Sequence, residues 1–468
     1  MKRLIAIIFF LVADILLLAP SLSAQWEPDV RLTYSDSSSM TSPNNAKFIA
    51  VCGDTVHIVW WEHRVGRPKV YYKRSTDGGT VWGPDTPLTG DSAAPFSPCL
   101  AAFGSGVHVV WQDQRDGPLN QLYYKGSTDG GATWGPDTHL SIDTNYAYCP
   151  CIAASGSEVH LFWHHATGGD SSIVKPDIFY RRSMDGGRTW EPVRRLTTDR
   201  AHSMYPTAAI TGTNIHVAWV DDRRGSWLLY YKRSTDEGVT WEPDTALASA
   251  GNYPYLPSLA ASGPDIHIVW NRLGLLYYLR STDNGATWEP ERCLTPLTTL
   301  WPSVVASGPN VHIAWHGHWN GTCKVTYKRS PDRGTTWGPD TSLTVDTLGI
   351  EFPTIAVSDA KVHLAWNDRR NGIWQMYYKR NPTGNSGIET AEERGQRLEV
   401  RIKATPNPFT TFAVVPGWEK ETFELYDIAG KKVGTYRGDR IGANLPAGVY
   451  FLRTLGKTST PVRIVKVR

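Results

Sequence analysis

Helical periodicity is missing from this chain. Nowhere do apolar residues recur at three- and four-residue spacing over a helix length, which excludes helical bundles and α/β folds. Cysteine is sparse: Cys52, Cys99, Cys149, Cys151, Cys293 and Cys323 are the six in 468 residues, and no two make a Cys-x-x-Cys pair. That excludes a disulfide-dense scaffold and a cysteine-knuckle metal site. Mostly buried thiols, with one or two bridges at most, are expected. Neither sign of charge dominates, with 48 Lys/Arg against 45 Asp/Glu. The small excess is concentrated late in the chain, where residues 396–468 carry 13 Lys/Arg against 6 Asp/Glu. The body before it is mildly acidic, which argues against nucleic acid as a partner. Beyond the first residues no apolar run is long enough to cross a bilayer as a helix.

Aromatic residues are abundant instead, with 20 Trp and 21 Tyr. Short runs of Val, Ile, Tyr and Trp alternate with Gly, Pro, Asp and Asn, the pattern of an all-β protein. Residues 1–24 read as an export signal: Lys2 and Arg3 open it, Leu4 to Leu18 is apolar, and Leu22-Ser23-Ala24 is a cleavage site before Gln25. A membrane anchor is the competing reading, for which the apolar stretch is short. The mature chain is expected to lie outside the cytoplasm with no transmembrane span.

One phrase, Val-His-Ile-Val-Trp, begins in variant form at Val56, Val107, Val159, Ile215, Ile266, Val311 and Val362, at spacings of 51, 52, 56, 51, 45 and 51 residues. A second, Tyr-Tyr-Lys-Arg, begins at Tyr71, Tyr123, Phe179, Tyr230, Tyr277, Thr326 and Tyr377. A period near 50 with four strand-like runs per unit predicts a β-propeller. Small residues such as Ala101-Ala102 and Ala153-Ala154 suit the crowded axis. The seventh unit lacks a final run, but Trp26-Glu27-Pro28-Asp29 repeats that run ahead of the first unit. The expectation is seven blades over 25–384, closed by the N-terminal strand. Six blades with a disordered first unit is the alternative.

Between the third and fourth runs stands a turn: STDGGTVW from Ser75, then variants from Ser127, Ser183, Ser234, Ser281 and Ser330. Ser-x-Asp-x-Gly-x-Thr-Trp resembles the Asp-box, or BNR repeat, of bacterial sialidases, with Val81 replacing the usual Thr. Asp and Ser can bond backbone N–H groups inside a turn. Asp77, Asp129, Asp185, Asp236, Asp283 and Asp332 lie on six different blades and cannot converge on one substrate, so a structural role is expected. The seven repeat histidines are too dispersed for one metal ion and are expected to pack within strands. No metal and no cofactor is expected. The resemblance implies that these turns lie on the face opposite a binding site.

The other face joins runs two to three and each blade to the next. It carries charged loops with Glu62, Arg64, Asp113, Arg115, Asp221, Arg223, Asp368 and Arg369, and an aromatic set of Tyr148, Tyr205, Tyr255, Trp301 and Phe352. Arginine binds carboxylates bidentately and aromatic faces suit sugars, so these residues are candidate contacts to a glycan or extracellular polymer. The loops also read as self-contained salt-bridged turns. The sialidase resemblance implies three arginines, a Tyr–Glu pair and an Asp acid/base. Arg272, Glu62 and Glu351 join the candidates on that reading, and the spacing selects none of them. The Arg-Ile-Pro segment of that family is missing. Catalytic residues therefore stay unassigned, with an exo-sialidase or related glycoside hydrolase, or a surface protein without ligand, as alternatives to a binding protein.

Residues 385–401 read as a linker. The phrases Pro406-Asn407-Pro408-Phe409, Leu425-Tyr426-Asp427-Ile428-Ala429-Gly430-Lys431 and Pro446-Ala447-Gly448-Val449-Tyr450 follow. They predict a small Ig-like β-sandwich over 402–468. This part resembles the type A sorting domain of the type IX secretion system of Bacteroidetes-like bacteria, which implies the secretion machinery as partner and a secreted or outer-surface destination.

Overall fold

Alternating side chains give each repeat a pleated apolar face, and four antiparallel strands per unit bury it. The computed structural model describes residues 26–384 apart from 43–46, 65, 143–145, 168–174, 248–253, 297, 320–321, 345–348 and 359–360, and after them 413–414, 422–427, 431–437, 440–441, 445–454 and 462–466. The expected export signal, the linker and the phrase at 406–409 lie outside the described residues. Two compact units divide between Ile388 and Glu389. The second contains a four-stranded antiparallel sheet (Thr422–Asp427, Lys432–Arg437, Gly448–Thr454, Val462–Lys466) over buried Phe423 and Leu425, and a two-stranded pair of Ala413–Val414 with Arg440–Ile441. Among the described residues no helix is long and apolar enough to cross a membrane.

The first unit is a seven-bladed β-propeller of seven successive antiparallel sheets. Blade 1 contains Ile49–Cys52, Thr55–Glu62, Lys69–Ser75 and Thr86–Pro87, with Ser39–Met40 extending its innermost strand. Blades 2 to 6 begin at Pro95, Ala147, Ser203, Pro254 and Thr298. Blade 7 is stitched from both ends: Ile350–Ser358, Lys361–Asp368 and Gln375–Asn381 are joined by Val30–Arg31, which pairs with Tyr378 and Tyr377. The innermost strands of blades 7 and 1 touch, which completes the circle. Closure removes the exposed sheet edge that an open array would present.

Almost every letter of the repeat holds one blade to another. In all seven blades the repeat histidine's Nδ1 shares a buried hydrogen bond of 2.6–2.8 Å with the second tyrosine of the next strand, from His57–Tyr72 to His363–Tyr378. That tyrosine reaches into the following blade. Trp134 meets Tyr72 edge-to-face at 4.9 Å, and Trp82 meets Tyr378 in the same way. Trp26 packs on Tyr327 at 5.0 Å, standing where blade 7 has no turn tryptophan of its own. The repeat lysine donates backwards, Lys125 Nζ to the Leu88 carbonyl at 2.6 Å. The repeat arginine donates forwards, Arg74 to the Gly130 carbonyl at 2.6 Å and Arg233 to that of Asn284 at 2.7 Å.

The Asp-box turn is self-contained. Ser127 Oγ donates to Asp129 Oδ1 at 2.7 Å and accepts the Gly131 N–H at 2.8 Å. The Asp129 carboxylate accepts the Thr133 N–H at 2.9 Å and its hydroxyl at 2.6 Å. These bonds hold the carboxyl well below the usual carboxylate range. Gly131 has φ +79, and a Cβ there would sit 2.0 Å from the Tyr72 hydroxyl of the preceding blade. The turn glycine is therefore fixed twice, by backbone conformation and by its neighbour's phenol.

Candidate functional site

The charged loops that follow the second strand end in ion pairs inside their own blades. In blade 2 the Asp113 side chain is fully buried. It accepts Trp111 Nε1 at 2.8 Å and the Arg115 guanidinium at 2.7 and 3.0 Å. Arg115 also binds Asp137 at 2.6 Å and lies 4.1 Å over the Tyr123 ring. Blade 1 builds the same cluster from Glu62, Arg64 and Asp85, and blade 4 from Asp221, Arg223 and Asp244. In blade 7 the arginine is Arg370, paired with Asp368 at 2.6 Å and Asp29 at 2.8 Å. Arg369, the residue singled out from the sequence, lies over Trp374 instead. Each buried carboxylate is neutralised by a partly buried guanidinium of its own blade, so these groups serve their blades and are not gathered at one mouth. Arg272 likewise pairs with Glu291 at 2.8 Å.

The aromatic candidates do converge. They stand at the start of the innermost strands, on the face opposite the Asp-boxes. Tyr146 stacks on Tyr148 at 5.7 Å, Tyr148 meets His164 at 5.6 Å, His164 meets Tyr205 at 5.6 Å, and Tyr205 meets Tyr255 at 5.7 Å. This arc of five contiguous rings crosses blades 3 to 5. A second arc crosses blades 6 and 7: Trp301 stacks on His316 at 5.2 Å and packs on Phe352 at 4.6 Å. Tyr255 is exposed and Phe352 is buried beneath Trp301. Glu351 lies half-buried beside Phe352, and burial raises its carboxyl pKa against the pull of Arg369.

A recurring backbone defect aims these rings. The innermost strand slips register against its partner in six blades, for example between Tyr148 and Cys151 and between Leu300 and Ser303. The extra residue has positive φ each time: Ser97, Cys149, Tyr205, Leu256, Trp301 and Phe352. Each is followed by proline. Proline donates no ladder hydrogen bond and so suits a bulge. Holding a bulky non-glycine residue at positive φ costs about 1–3 kcal/mol. Bulges re-aim side chains, and three of the six bulged residues are rim aromatics.

Below the rim runs an axial channel of about 250 Å³, lined by Ala50, Ala102, Ala154, Ala209, Ala261 and Ala306 with neighbouring aliphatics. Lys47 also lines it, and no carboxylate among the described residues pairs with this ammonium. Burial lowers its pKa, opposed by the nearby Cys151 thiol. His164 is buried and neutral, its pKa brought down to about 3 by desolvation; its Nδ1 accepts the Tyr205 N–H at 3.4 Å. Lys47 and His164 were missed in the sequence. His164 could have been found, because WHH at 163–165 departs from the Trp-x-Asp pattern of other blades. All six cysteines are free thiols.

No family model matches this chain, and no curated protein matches it. Solved structures do. An ulvan lyase aligns with TM-score 0.53 at 13% identity over 75% of this chain and 95% of that one. A second polysaccharide lyase aligns with TM-score 0.53 at 12% identity over 76% of this chain and 99% of that one. A Trypanosoma rangeli sialidase aligns with TM-score 0.43 at 14% identity over 76% of this chain and 67% of its own. The chain shares a propeller fold with carbohydrate-active proteins.

Proposed function

We propose that this chain is an extracellular propeller that binds an acidic polysaccharide across the rim opposite its Asp-boxes. The observation that carries the proposal is the five-ring arc from Tyr146 to Tyr255. Contiguous aromatic faces offer an apolar, preformed platform for sugar rings. Lys47 lines the channel below that platform with no carboxylate partner among the described residues, which favours a ligand carrying carboxylate or sulfate. The ulvan lyase fold has been solved bound to -[GlcA(1-4)Rha3S]- with TM-score 0.52, a repeat of that chemical type. The leader at 1–24 and the sorting-domain resemblance at 402–468 support a secreted or outer-surface location.

A second reading is turnover of the same ligand. The observation favouring it is neutral His164 held between the Tyr148 and Tyr205 phenols. With Nδ1 accepting the Tyr205 N–H, the neutral imidazole presents its Nε2–H to a uronate carboxylate, while a neighbouring tyrosine oxygen takes the alpha proton and delivers it to the leaving oxygen as that bond breaks. The exo-sialidase alternative has less support, because Arg64, Arg115, Arg223 and Arg272 are bound to carboxylates on separate blades.

Titration calorimetry with sulfated and unsulfated polyuronates tests binding. Tyr255→Ala together with Trp301→Ala is expected to weaken affinity at least about tenfold, the scale of losing aromatic anchors. Unchanged affinity in the double variant overturns the reading. Formation of an unsaturated uronate, lost in His164→Ala, assigns the second reading; binding without product assigns the first; no binding to any glycan favours a surface scaffold.

A further inference from the structure

Blade 6 departs from its siblings immediately after its repeat tryptophan. Where blades 1, 2, 4 and 7 place a carboxylate two residues after the tryptophan, this blade has Gly317, flanked by His316 and His318. The two histidines lie on the strand Asn310–Trp319, and residues two apart on a strand share a face. Across the hairpin His318 pairs in register with Cys323 of the strand Thr322–Ser330. Directly opposed residues bring their side chains together. Three donors thus project from one face of one hairpin.

Their spacing is that of a ligand set. One donor atom from each of His316, His318 and Cys323 lies within 4.8 Å of the others. Cys323 Sγ is 3.7 Å from His318 Nε2 and 4.0 Å from its Nδ1. The His316 and His318 ring centroids are 4.9 Å apart. Cys323 is a free thiol.

An independent feature points into the same place. His316 is only 4% exposed, and neither ring nitrogen has a hydrogen-bond partner. A buried polar atom left unpaired costs about 1–3 kcal/mol, so native structures rarely leave both nitrogens of one imidazole empty. Trp301 stacks on this imidazole with planes 20° apart, and Phe352 backs Trp301, so the ring is held in one orientation. The repeat histidine of the same blade is different: His312 is bonded to Tyr327 at 2.7 Å.

We propose that His316, His318 and Cys323 form a zinc site on the rim of blade 6. Two imidazole nitrogens and a thiolate are the borderline donor set that Zn²⁺ prefers, and three protein ligands leave a fourth tetrahedral position for water or another donor. Calcium and magnesium take oxygen ligands and do not fit. Bond lengths near 2.0–2.3 Å put neighbouring donors about 3.5 Å apart, a small closure from the observed spacing. Binding releases the thiol proton to solvent and fills the empty coordination of His316. Because His316 carries Trp301 on its face, the ion would also brace the second aromatic arc.

The test uses the full chain, stripped with chelator and dialysed against Zn²⁺, with His318→Ala, Cys323→Ser and the double variant alongside. His318 and Cys323 are chosen because they are less buried than His316 and their loss leaves the core intact. About one zinc per chain is expected in the parent and less than a tenth of that in the double variant. Co²⁺ is expected to give the parent the visible bands of a tetrahedral centre and a thiolate charge-transfer band that Cys323→Ser removes. Far-ultraviolet circular dichroism matching the parent confirms that the variants fold. The proposal is overturned if folded parent chain takes up no stoichiometric zinc or cobalt, or if the folded double variant binds them equally. Glycan affinity is measured separately, so failure of the zinc site leaves the rim reading intact.

Discussion

Single atoms decide how the turns and the blades meet. Gly131 has no room for a methyl group, so Gly131→Ala is expected to lower stability by about 3 kcal/mol through overpacking and strain at positive φ. An unchanged urea midpoint would show that Tyr72 moves aside freely. Tyr72→Phe removes one hydroxyl and leaves His57 Nδ1 buried without a partner, at a cost of about 1–3 kcal/mol. Val81 offers the reverse case. In the other boxes a threonine hydroxyl bonds the Asp carboxylate, as Thr240 does to Asp236 at 2.6 Å, whereas Val81 supplies only its N–H and is itself exposed. Val81→Thr should raise the melting temperature by a few degrees at most, the effect of about 0.5–1 kcal/mol for one hydrogen bond; a decrease would contradict that account of the turn.

Elements were legible where a residue type repeats and obscure where a blade deviates. The seven copies of Val-His-Ile-Val-Trp and the displaced Trp26 run were enough to count blades and to close the circle. Asp113, Asp221 and Asp368 were harder. A carboxylate two residues after a tryptophan looks the same in sequence whether it faces a ligand or accepts the indole N–H, and only the fold shows Asp137, Asp244 and Asp29 arriving from the fourth strand. The bulges were hidden too, because an aromatic before proline does not announce positive φ. The closing strand carries its own prediction. Trp26→Ala combined with removal of Lys379's partner by Asp29→Ala should destabilise the propeller by several kcal/mol, since it empties an aromatic contact, takes away the carboxylate paired with Lys379 and leaves Arg370 with Asp368 alone, at about 3 kcal/mol for a broken, largely buried pair. Chemical denaturation with the same midpoint as the parent would mean that the circle does not depend on its N-terminal strand.

The whole molecule should be acid-sensitive in a predictable window. His57, His108, His216 and His363 titrate at about 4 in the folded chain, and His160, His267 and His312 at about 3, all pushed down chiefly by burial. Unfolded, a histidine titrates near 6.5. The neutral form is favoured by folding, so this contribution is fully present above about pH 6.5 and is lost as the pH falls toward 4 and 3. Stability measured by urea unfolding should be flat from pH 8 to 6.5 and drop steeply below. The Asp-boxes respond later: Asp185, Asp236 and Asp283 titrate at about 2 because the turn bonds their charged form, and that support is lost only below about pH 4.

The central claim is a division of labour, with repeated residues building the propeller and irregular rim residues making contact. It is tested most directly by measuring polyuronate affinity and melting temperature together for Tyr205→Ala/Tyr255→Ala and for Asp77→Ala. The account predicts that the rim variant loses about tenfold or more in affinity with little change in melting temperature, whereas Asp77→Ala melts earlier and binds as the parent does. Loss of binding in folded Asp77→Ala, with full affinity in the rim variant, would contradict it.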